Sequence, residues 1–141
     1  AEEAATFYTS IFEDSRIVST TNYPDVPQKA ATVMVVEIEL QGQRYILLNG
    51  GEHFTFTDGM SLSVLCDNQQ EIDHYWDRLT ADGGQPGPCG WLKDKFGVSW
   101  QVSPRAIAEL WGDEAQGKRV FAAMTKMSKL DLAALQRAAK G

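Results

Sequence analysis

Apolar residues in the first twelve positions recur at a spacing that predicts an amphipathic helix. They lie three or four residues apart, on one face of a helix, and are Ala1, Ala4, Ala5, Tyr8, Ile11 and Phe12. The polar residues Glu2, Glu3 and Thr6 point mostly to other sides. Because such a helix must cover its apolar stripe, we expect it to pack on a sheet.

The pattern then changes to the period of two that is typical of strands. The β-branched run RIVSTT at 16–21 predicts a strand, and TVMVVEIEL at 32–40 alternates apolar and polar residues. Its apolar set, Met34, Val36, Ile38 and Leu40, should face the core. The pair Gln41-Gly42 turns the chain into QRYILLNGG at 43–51, which completes a predicted hairpin.

The second half of the chain repeats the sequence of predicted elements. EHFTFTDGM at 52–60 reads as a loop with exposed phenylalanines, and SLSVLC at 61–66 as a short strand. A helix begins after a cap at Asp67 or Asn68 and ends at Gly83-Gly84. Its apolar face is formed by Ile72, Tyr75, Trp76 and Leu79.

A weak edge strand and a second hairpin follow that helix. QPGPCG at 85–90 can be at most an irregular edge strand, because proline cannot donate to a ladder. WLKDK at 91–95 and VSWQVSP at 98–104 form the hairpin, which turns at Phe96-Gly97. Beyond Pro104 the pattern is helical and apolar enough to dock.

These elements indicate an α+β protein with an internal structural repeat. One more strand before Ala1 would divide the chain into two βαβββ halves. We expect one domain over 1–141, with a first module over 1–59, a second module over 60–104 and a helical tail over 105–141.

Composition narrows the classes of function. The 141 residues carry a net charge of −6, which disfavours a nucleic-acid partner, and no apolar run is long enough to span a membrane. Cys66 and Cys89 lack the spacing of a metal or redox motif, so we expect reduced thiols in the cytoplasm. The first residues lack the features of an export signal.

Several motifs together resemble the PhnB-like branch of the vicinal oxygen chelate superfamily, which is often labelled 3-demethylubiquinone-9 3-methyltransferase. They lie in register from Ala1 to about Leu135 and are AEEAATFYTSIF, LNGG, EIDHYWDRL, CGWLKDKFGVSWQVSP and MTKMSKLDLAAL. The resemblance implies paired βαβββ modules of the glyoxalase-like fold, whose sheets curve around a cleft, and a homodimer. It places the first strand immediately before Ala1, so we expect that strand to be absent from residues 1–141.

Enzymes of this superfamily hold a divalent metal through His, Glu or Gln side chains on the first and last strand of each module. The resemblance assigns the corresponding positions here to Asn49, to Ser61 or Ser63, and to Gln101, four residues after Gly97. Neutral amides and hydroxyls are weak ligands for transition metals. We therefore predict no metal and no other cofactor, with a divalent metal as the alternative.

The same positions predict a pocket for a small molecule. If the strands alternate regularly, the polar groups of Asn49, Ser61, Ser63, Ser99 and Gln101 share one concave face, with Tyr45 and Trp91 as apolar walls. Trp100 alternates away from Gln101 and should belong to the core.

Several other residues could take part in a reaction, but each also has a simpler structural explanation. His53 is either a general base over the cleft or an ordinary loop histidine, and His74 should be a surface residue. Lys93, Asp94 and Lys95 read as a solvated charged turn. Cys66 should face the helices, which argues against a nucleophile. No glycine-rich strand-to-helix loop supports the methyltransferase label.

The expected function is binding of a small organic molecule in a metal-poor cleft. One alternative is a metal-dependent lyase, isomerase or dioxygenase-type enzyme of the same superfamily. The other is a dimeric structural or interaction protein whose helical tail supplies the interface. Whether the protein catalyses a reaction is left open by these residues.

Overall fold

A computed structural model of the protein describes residues 1–27, 29, 32–51 and 53–141. The chain forms two compact units, Ala1–Thr55 and Phe56–Gly141, and each unit has its own sheet, with α-helix packed against it. The observed class is mixed α+β, as predicted from the sequence pattern.

The described residues of the first unit form one helix and a three-stranded antiparallel sheet. The strand order is β1-β2-β3. The elements are α1 (Glu2–Ile11), β1 (Ser15–Asn22), β2 (Val33–Leu40) and β3 (Gln43–Leu48).

The second unit contains a four-stranded sheet, four helices and a 3-10 turn. The strand order is β4-β7-β6-β5, with β4 and β7 parallel and the other pairs antiparallel. The elements are β4 (Leu62–Cys66), α2 (Gln69–Leu79), the turn Ala81–Gly83, β5 (Gln85–Pro86), β6 (Trp91–Lys93), β7 (Ser99–Pro104), α3 (Ile107–Trp111), α4 (Glu114–Met124) and α5 (Leu132–Lys140). The predicted order of elements is confirmed, including the weak edge strand and the helical tail.

The alternation predicted for β2 is confirmed in the first unit. Val36, Ile38 and Leu40 are buried on the face that α1 covers, where they meet the apolar stripe of that helix. Gln41 and Gly42 both adopt positive φ, which is the geometry of a tight hairpin turn. On the opposite face, a hydrogen bond from Arg44 lowers the pKa of the Glu37 carboxyl.

The helix α2 begins as predicted but ends earlier. The Asn68 side chain accepts a hydrogen bond from the Glu71 backbone N–H at 2.9 Å, and the Glu71 carboxylate accepts one from the Asp67 N–H at 2.7 Å. The four predicted core residues of α2 are all buried. The helix ends at Leu79, before Gly83-Gly84; a 3-10 turn follows, in which Asp82 adopts a left-handed φ of 55°.

One prediction about the second hairpin is wrong. Asp94 is 3% exposed and is not part of a solvated charged turn. One carboxylate oxygen accepts hydrogen bonds from the backbone N–H groups of Phe96 and Val98 at 2.9 and 3.0 Å. The other accepts one from the Trp100 indole N–H at 2.8 Å. A charged residue is buried here because the turn and the indole together supply three donors to its carboxylate.

The helical tail has its own small core and is tied to the preceding sheet. Val120, Leu130 and Leu135 form that core. Three hydrogen bonds join residues 127–128 to the loop before β6: Cys89 N–H to the Met127 carbonyl, Gly90 N–H to the Ser128 carbonyl, and the Ser128 hydroxyl to the Gly87 carbonyl. The predicted docking of the tail is confirmed.

Gln69 and Lys129 hold the same segment against α2. The Gln69 side chain donates to the Leu130 carbonyl at 3.1 Å and accepts from the Leu132 N–H at 2.8 Å. Lys129 lies 3.0 Å from the Asp73 carboxylate, and hydrogen bonds from Gln69 and Lys129 lower the pKa of Asp73. In the described parts of the chain, every helix is too short or too polar to cross a membrane.

Replacing Asp94 by asparagine should destabilise the second unit. An amide cannot accept all three hydrogen bonds with the same strength, so we expect the free energy of unfolding to fall by about 1–3 kcal/mol. All four tryptophans lie in Phe56–Gly141, so tryptophan fluorescence during urea unfolding reports on this unit. Asp82→Asn is the matched control, since Asp82 is exposed and should change stability by less than about 0.5 kcal/mol. Equal stability of the two variants would contradict the role given to Asp94.

Candidate functional site

Three of the predicted site residues form a row across the open face of the second sheet. Gln101 on β7 pairs with Ser63 on β4 and with Trp91 on β6. Directly paired residues on neighbouring strands point to the same face of a sheet, so the three side chains are neighbours. The opposite face carries buried apolar residues such as Val64 and Val102 and packs against α2.

A second row on the same open face lies closer to the hairpin turn. Ser99 on β7 pairs with Lys93 on β6, and Lys93 pairs with Gln85 on the edge strand β5. Ser99 is 4% exposed, whereas Lys93 is half-buried. The open face therefore combines one aromatic ring, several neutral polar groups and one ammonium group.

Gln101 makes a hydrogen bond that joins β7 to the residue preceding β4. Its amide nitrogen donates to the Ser61 hydroxyl oxygen at 2.8 Å. This contact uses one N–H of Gln101 and one lone pair of Ser61. The remaining capacity of the two side chains is available for hydrogen bonding on the open face.

A groove of about 440 Å³ lies along this face, at the edge formed by β5 and β6. Its volume is within the range of small-molecule sites in proteins. Among the residues that line it are Asp58, Gln85, Pro86, Trp91, Lys93 and Ser99. Two predicted site residues, Trp91 and Ser99, therefore line one groove.

An ion pair connects the groove to the loop before β4. The Lys93 ammonium lies 2.6 Å from a carboxylate oxygen of Asp58, and both side chains are partly solvent-exposed. Sequence reasoning did not include Lys93, Gln85 or Asp58 in the site. The alternation of Trp91 and Lys93 along β6 placed both side chains on one face, so Lys93 could have been found; Asp58 lies in a loop, where periodicity gives no information.

Asn49 lies in the first unit, where its side chain is occupied by local contacts. Its amide nitrogen donates to the Glu2 carboxylate at 2.9 Å and to the Val33 carbonyl at 3.0 Å. These bonds tie the end of β3 to the start of α1, which is a structural role.

Tyr45 also lies in the first unit and shares a strand face with Ile38. The two residues are direct partners in the β2–β3 ladder, and Ile38 is fully buried beneath α1. Paired residues point to the same face, so the Tyr45 side chain is on the helix-covered side of its sheet. Tyr45 and Asn49 belong to the first unit, whereas the row that contains Gln101 belongs to the second.

Both histidines lie on the surface, whereas Trp100 is buried. His53 is an exposed turn residue of the first unit, and His74 is exposed on α2, as predicted for a surface histidine. Trp100 is 3% exposed and bonds to Asp94, so its predicted place in the core is confirmed.

Cys66 lies on the buried face of β4, as predicted, and is 1% exposed. Burial, together with a smaller effect of the nearby carboxylates of Glu71 and Asp67, raises the pKa of its thiol to about 12. A thiol with such a pKa is almost wholly protonated at neutral pH. Cys66 is therefore unsuited to act as a nucleophile.

The donor groups at the candidate site do not fit a transition metal. Gln101 and Ser61 bond to each other, and Asn49 is occupied by groups of the first unit. Within the described ranges no three His, Cys, Asp or Glu side chains gather in a way that could hold a metal ion. Neutral amides and hydroxyls alone bind such ions weakly.

Comparison with known proteins decides the family. The family model for 3-demethylubiquinone-9 3-methyltransferase matches residues 1–103. The chain belongs to this family. The matched region contains both sheets and ends before the helical tail, so the resemblance expected as far as about Leu135 is established only up to residue 103. No curated protein sequence matches the chain.

Two solved structures of this fold are similar to the chain. The PhnB protein from Bacillus cereus is 39% identical, with a TM-score of 0.62, over 72% of this chain and 88% of that one. Protein PA1353 from Pseudomonas aeruginosa is 18% identical, with a TM-score of 0.59, over 74% of this chain and 89% of that one. The first supports membership of the PhnB-like family, and the second shows the fold alone.

Cys66 should resist thiol reagents in the folded protein. In a Cys89→Ser variant, which leaves Cys66 as the single thiol, alkylation by iodoacetamide at mildly alkaline pH should be at least about a hundredfold slower than in urea, because the native thiol is buried and protonated. Mass spectrometry measures the rate. Fast labelling of the folded variant would contradict the burial.

The raised pKa of the Cys66 thiol also makes the free energy of unfolding depend on pH. The native pKa of Cys66 lies above its ordinary value of 9.0, so its contribution to stability is complete below that value and is lost as the pH rises towards 12.

Proposed function

We propose that this protein binds a small organic molecule on the open face of its second sheet, without a metal. The observation that carries the proposal is the row Ser63–Gln101–Trp91 beside a groove of about 440 Å³. Small-molecule sites are typically concave and mostly apolar, with a few well-placed polar groups. Here Trp91 supplies the flat apolar surface, and Gln101, Ser61 and Ser99 supply the polar groups.

The neutral character of these groups supports binding rather than metal-dependent catalysis. An amide can both donate and accept, so Gln101 suits a ligand carbonyl, hydroxyl or amide. Its N–H group stabilises a developing negative charge less strongly than a metal ion would. We therefore propose that Gln101 occupies a former metal position of the vicinal oxygen chelate fold and now recognises a ligand by hydrogen bonding.

A metal-dependent lyase, isomerase or dioxygenase-type enzyme is the alternative. It would require strong ligands or a base from other groups, such as His53, to act at this face. Of the polar groups at the open face, those of Ser61, Ser63, Ser99 and Gln101 are neutral, and the Lys93 ammonium group, which is paired with Asp58, is not a metal ligand. The binding function needs no additional group, which is why we favour it.

We also propose a homodimer working in the cytoplasm. The dimer follows from the resemblance to the vicinal oxygen chelate superfamily, and Phe121 on the tail, 55% exposed, offers apolar surface for an interface. The compartment follows from the two free cysteines. Sedimentation velocity of the full chain measures the oligomeric state, and a monomer at all concentrations would exclude the dimer.

Binding at Trp91 can be localised with a neutral aromatic probe that quenches tryptophan fluorescence. We expect 4-nitrobenzamide to quench the full chain saturably, with a dissociation constant roughly in the millimolar range for so small a ligand. Trp91→Phe should remove the saturable part, because the responding fluorophore is gone. Trp111→Phe in the tail is the matched control and should retain it. Only linear, collisional quenching, or saturable quenching that persists in Trp91→Phe, would contradict the proposed site.

Metal content separates the proposal from the enzymatic alternative. The untagged protein, purified without chelator, is dialysed against Zn, Ni, Mn or Fe(II) salts and then against metal-free buffer. Because the candidate donors are neutral, we expect elemental analysis to find far less than one ion per subunit. About one retained ion per subunit, lost in Gln101→Ala, would favour the metalloenzyme.

A further inference from the structure

The groove beside Trp91 contains one cation whose counter-ion comes from a loop. Lys93 and Asp58 are the charged residues among those that line the groove in the described part of the chain, and they form an ion pair at 2.6 Å. The ladder neighbours of Lys93 are neutral, Gln85 on one side and Ser99 on the other. An anion that enters the groove would therefore meet a single positive charge among uncharged hydrogen-bonding groups.

The Asp58 side chain is less constrained by the fold than Lys93, its partner in the ion pair. Its side chain is 76% exposed, and residues 53–60 are all exposed and outside any helix or strand. Exposed ion pairs contribute little to stability, so the Asp58 carboxylate can leave Lys93 at low cost. Lys93, by contrast, is fixed on a strand by ladder partners on both sides.

The remainder of the groove favours a flat apolar body. Trp91 forms one wall, two residues from Lys93 on the same strand and on the same face. Pro86 and Pro88 line the groove as well and add rigid apolar surface. A ring placed against this wall would bring a substituent within reach of the ammonium group.

We propose that the groove binds a planar organic molecule that carries a carboxylate group, with its ring against Trp91 and its carboxylate on Lys93 in the place of Asp58. The inference rests on the proposed function and specifies its ligand class. Asp58 shows which anion Lys93 accepts, because it is itself a carboxylate. Binding is a reversible exchange of one carboxylate for another, in which no covalent bond changes.

Two isosteric probes test the charge requirement. 4-Nitrobenzoate is ionised at neutral pH, 4-nitrobenzamide is neutral, and the quenching of Trp91 reports on both. At low salt we expect the full chain to bind the benzoate at least about fivefold more tightly than the amide. Raising the NaCl concentration about tenfold should reduce that preference, since the site is open to solvent.

Variants assign the preference to its residues. Lys93→Met should abolish the difference in affinity between the two probes. Asp58→Asn should raise the affinity for the benzoate relative to that for the amide about twofold to fivefold, because the competing carboxylate is gone. Lys95→Met is the matched control on the same hairpin; Lys95 does not line the groove, so the preference should persist.

The results of these experiments distinguish a failure of the carboxylate site from a failure of the proposed binding function. Equal binding of the two probes to the full chain, or a preference unchanged by Lys93→Met, overturns the carboxylate site and leaves a neutral binding site at Trp91. A loss of benzoate affinity in Asp58→Asn would also overturn it. If neither probe quenches saturably, both the proposed function and the ligand class are wrong.

Discussion

The buried carboxylate of Asp94 fixes the geometry on which the candidate site depends. Its hydrogen bonds to two backbone N–H groups of the turn and to the Trp100 indole hold the β6–β7 hairpin in one register. That register places Trp91 beside Gln101 and Lys93 beside Ser99. A slip of one residue would turn every side chain of a strand to the other face. Trp91 and Lys93 would then point into the packing against α2, and the open face would lose its aromatic ring and its cation.

Charge acts on two length scales in this protein. The net charge of −6 repels anions at a distance, whereas the groove presents the Lys93 ammonium at short range. Salt screens the distant repulsion, and the contact with Lys93 is most favourable where a ring against Trp91 displaces water. A carboxylate attached to an aromatic ring is thus distinguished from an inorganic anion, which gains the charge contact but not the apolar one.

Much of the fold could be predicted from periodicity and local chemistry. The burial of Val36 and Ile38 follows from their alternation with polar residues, and the cap at Asn68 follows from its place before an apolar helical stripe. The class, the order of elements and the docked tail were obtained in the same way. The resemblance to PhnB-like proteins added the family.

The errors arose where a side chain's partners could not be read from spacing. Asp94 lies between two lysines in a turn, which is typical of solvated residues; its burial depends on three donors brought together by the folded hairpin. Tyr45 pairs with Ile38 on the helix-covered face of the first sheet, and Asn49 bonds to Glu2, which is distant in sequence. The place of these two residues in a pocket stays a prediction.

The attachment of the tail to the loop before β6 affects how far ligand selectivity can be compared between family members. Gly87 and Pro88 line the groove, and the tail bonds to residues 87–90 through Met127 and Ser128. The match to the family model ends at residue 103, so one wall of the groove is supported by a segment outside the matched residues. Selectivity can therefore diverge between members without any change in the residues that touch a ligand. A ligand found for a relative without this tail should not be transferred to this chain on sequence identity alone.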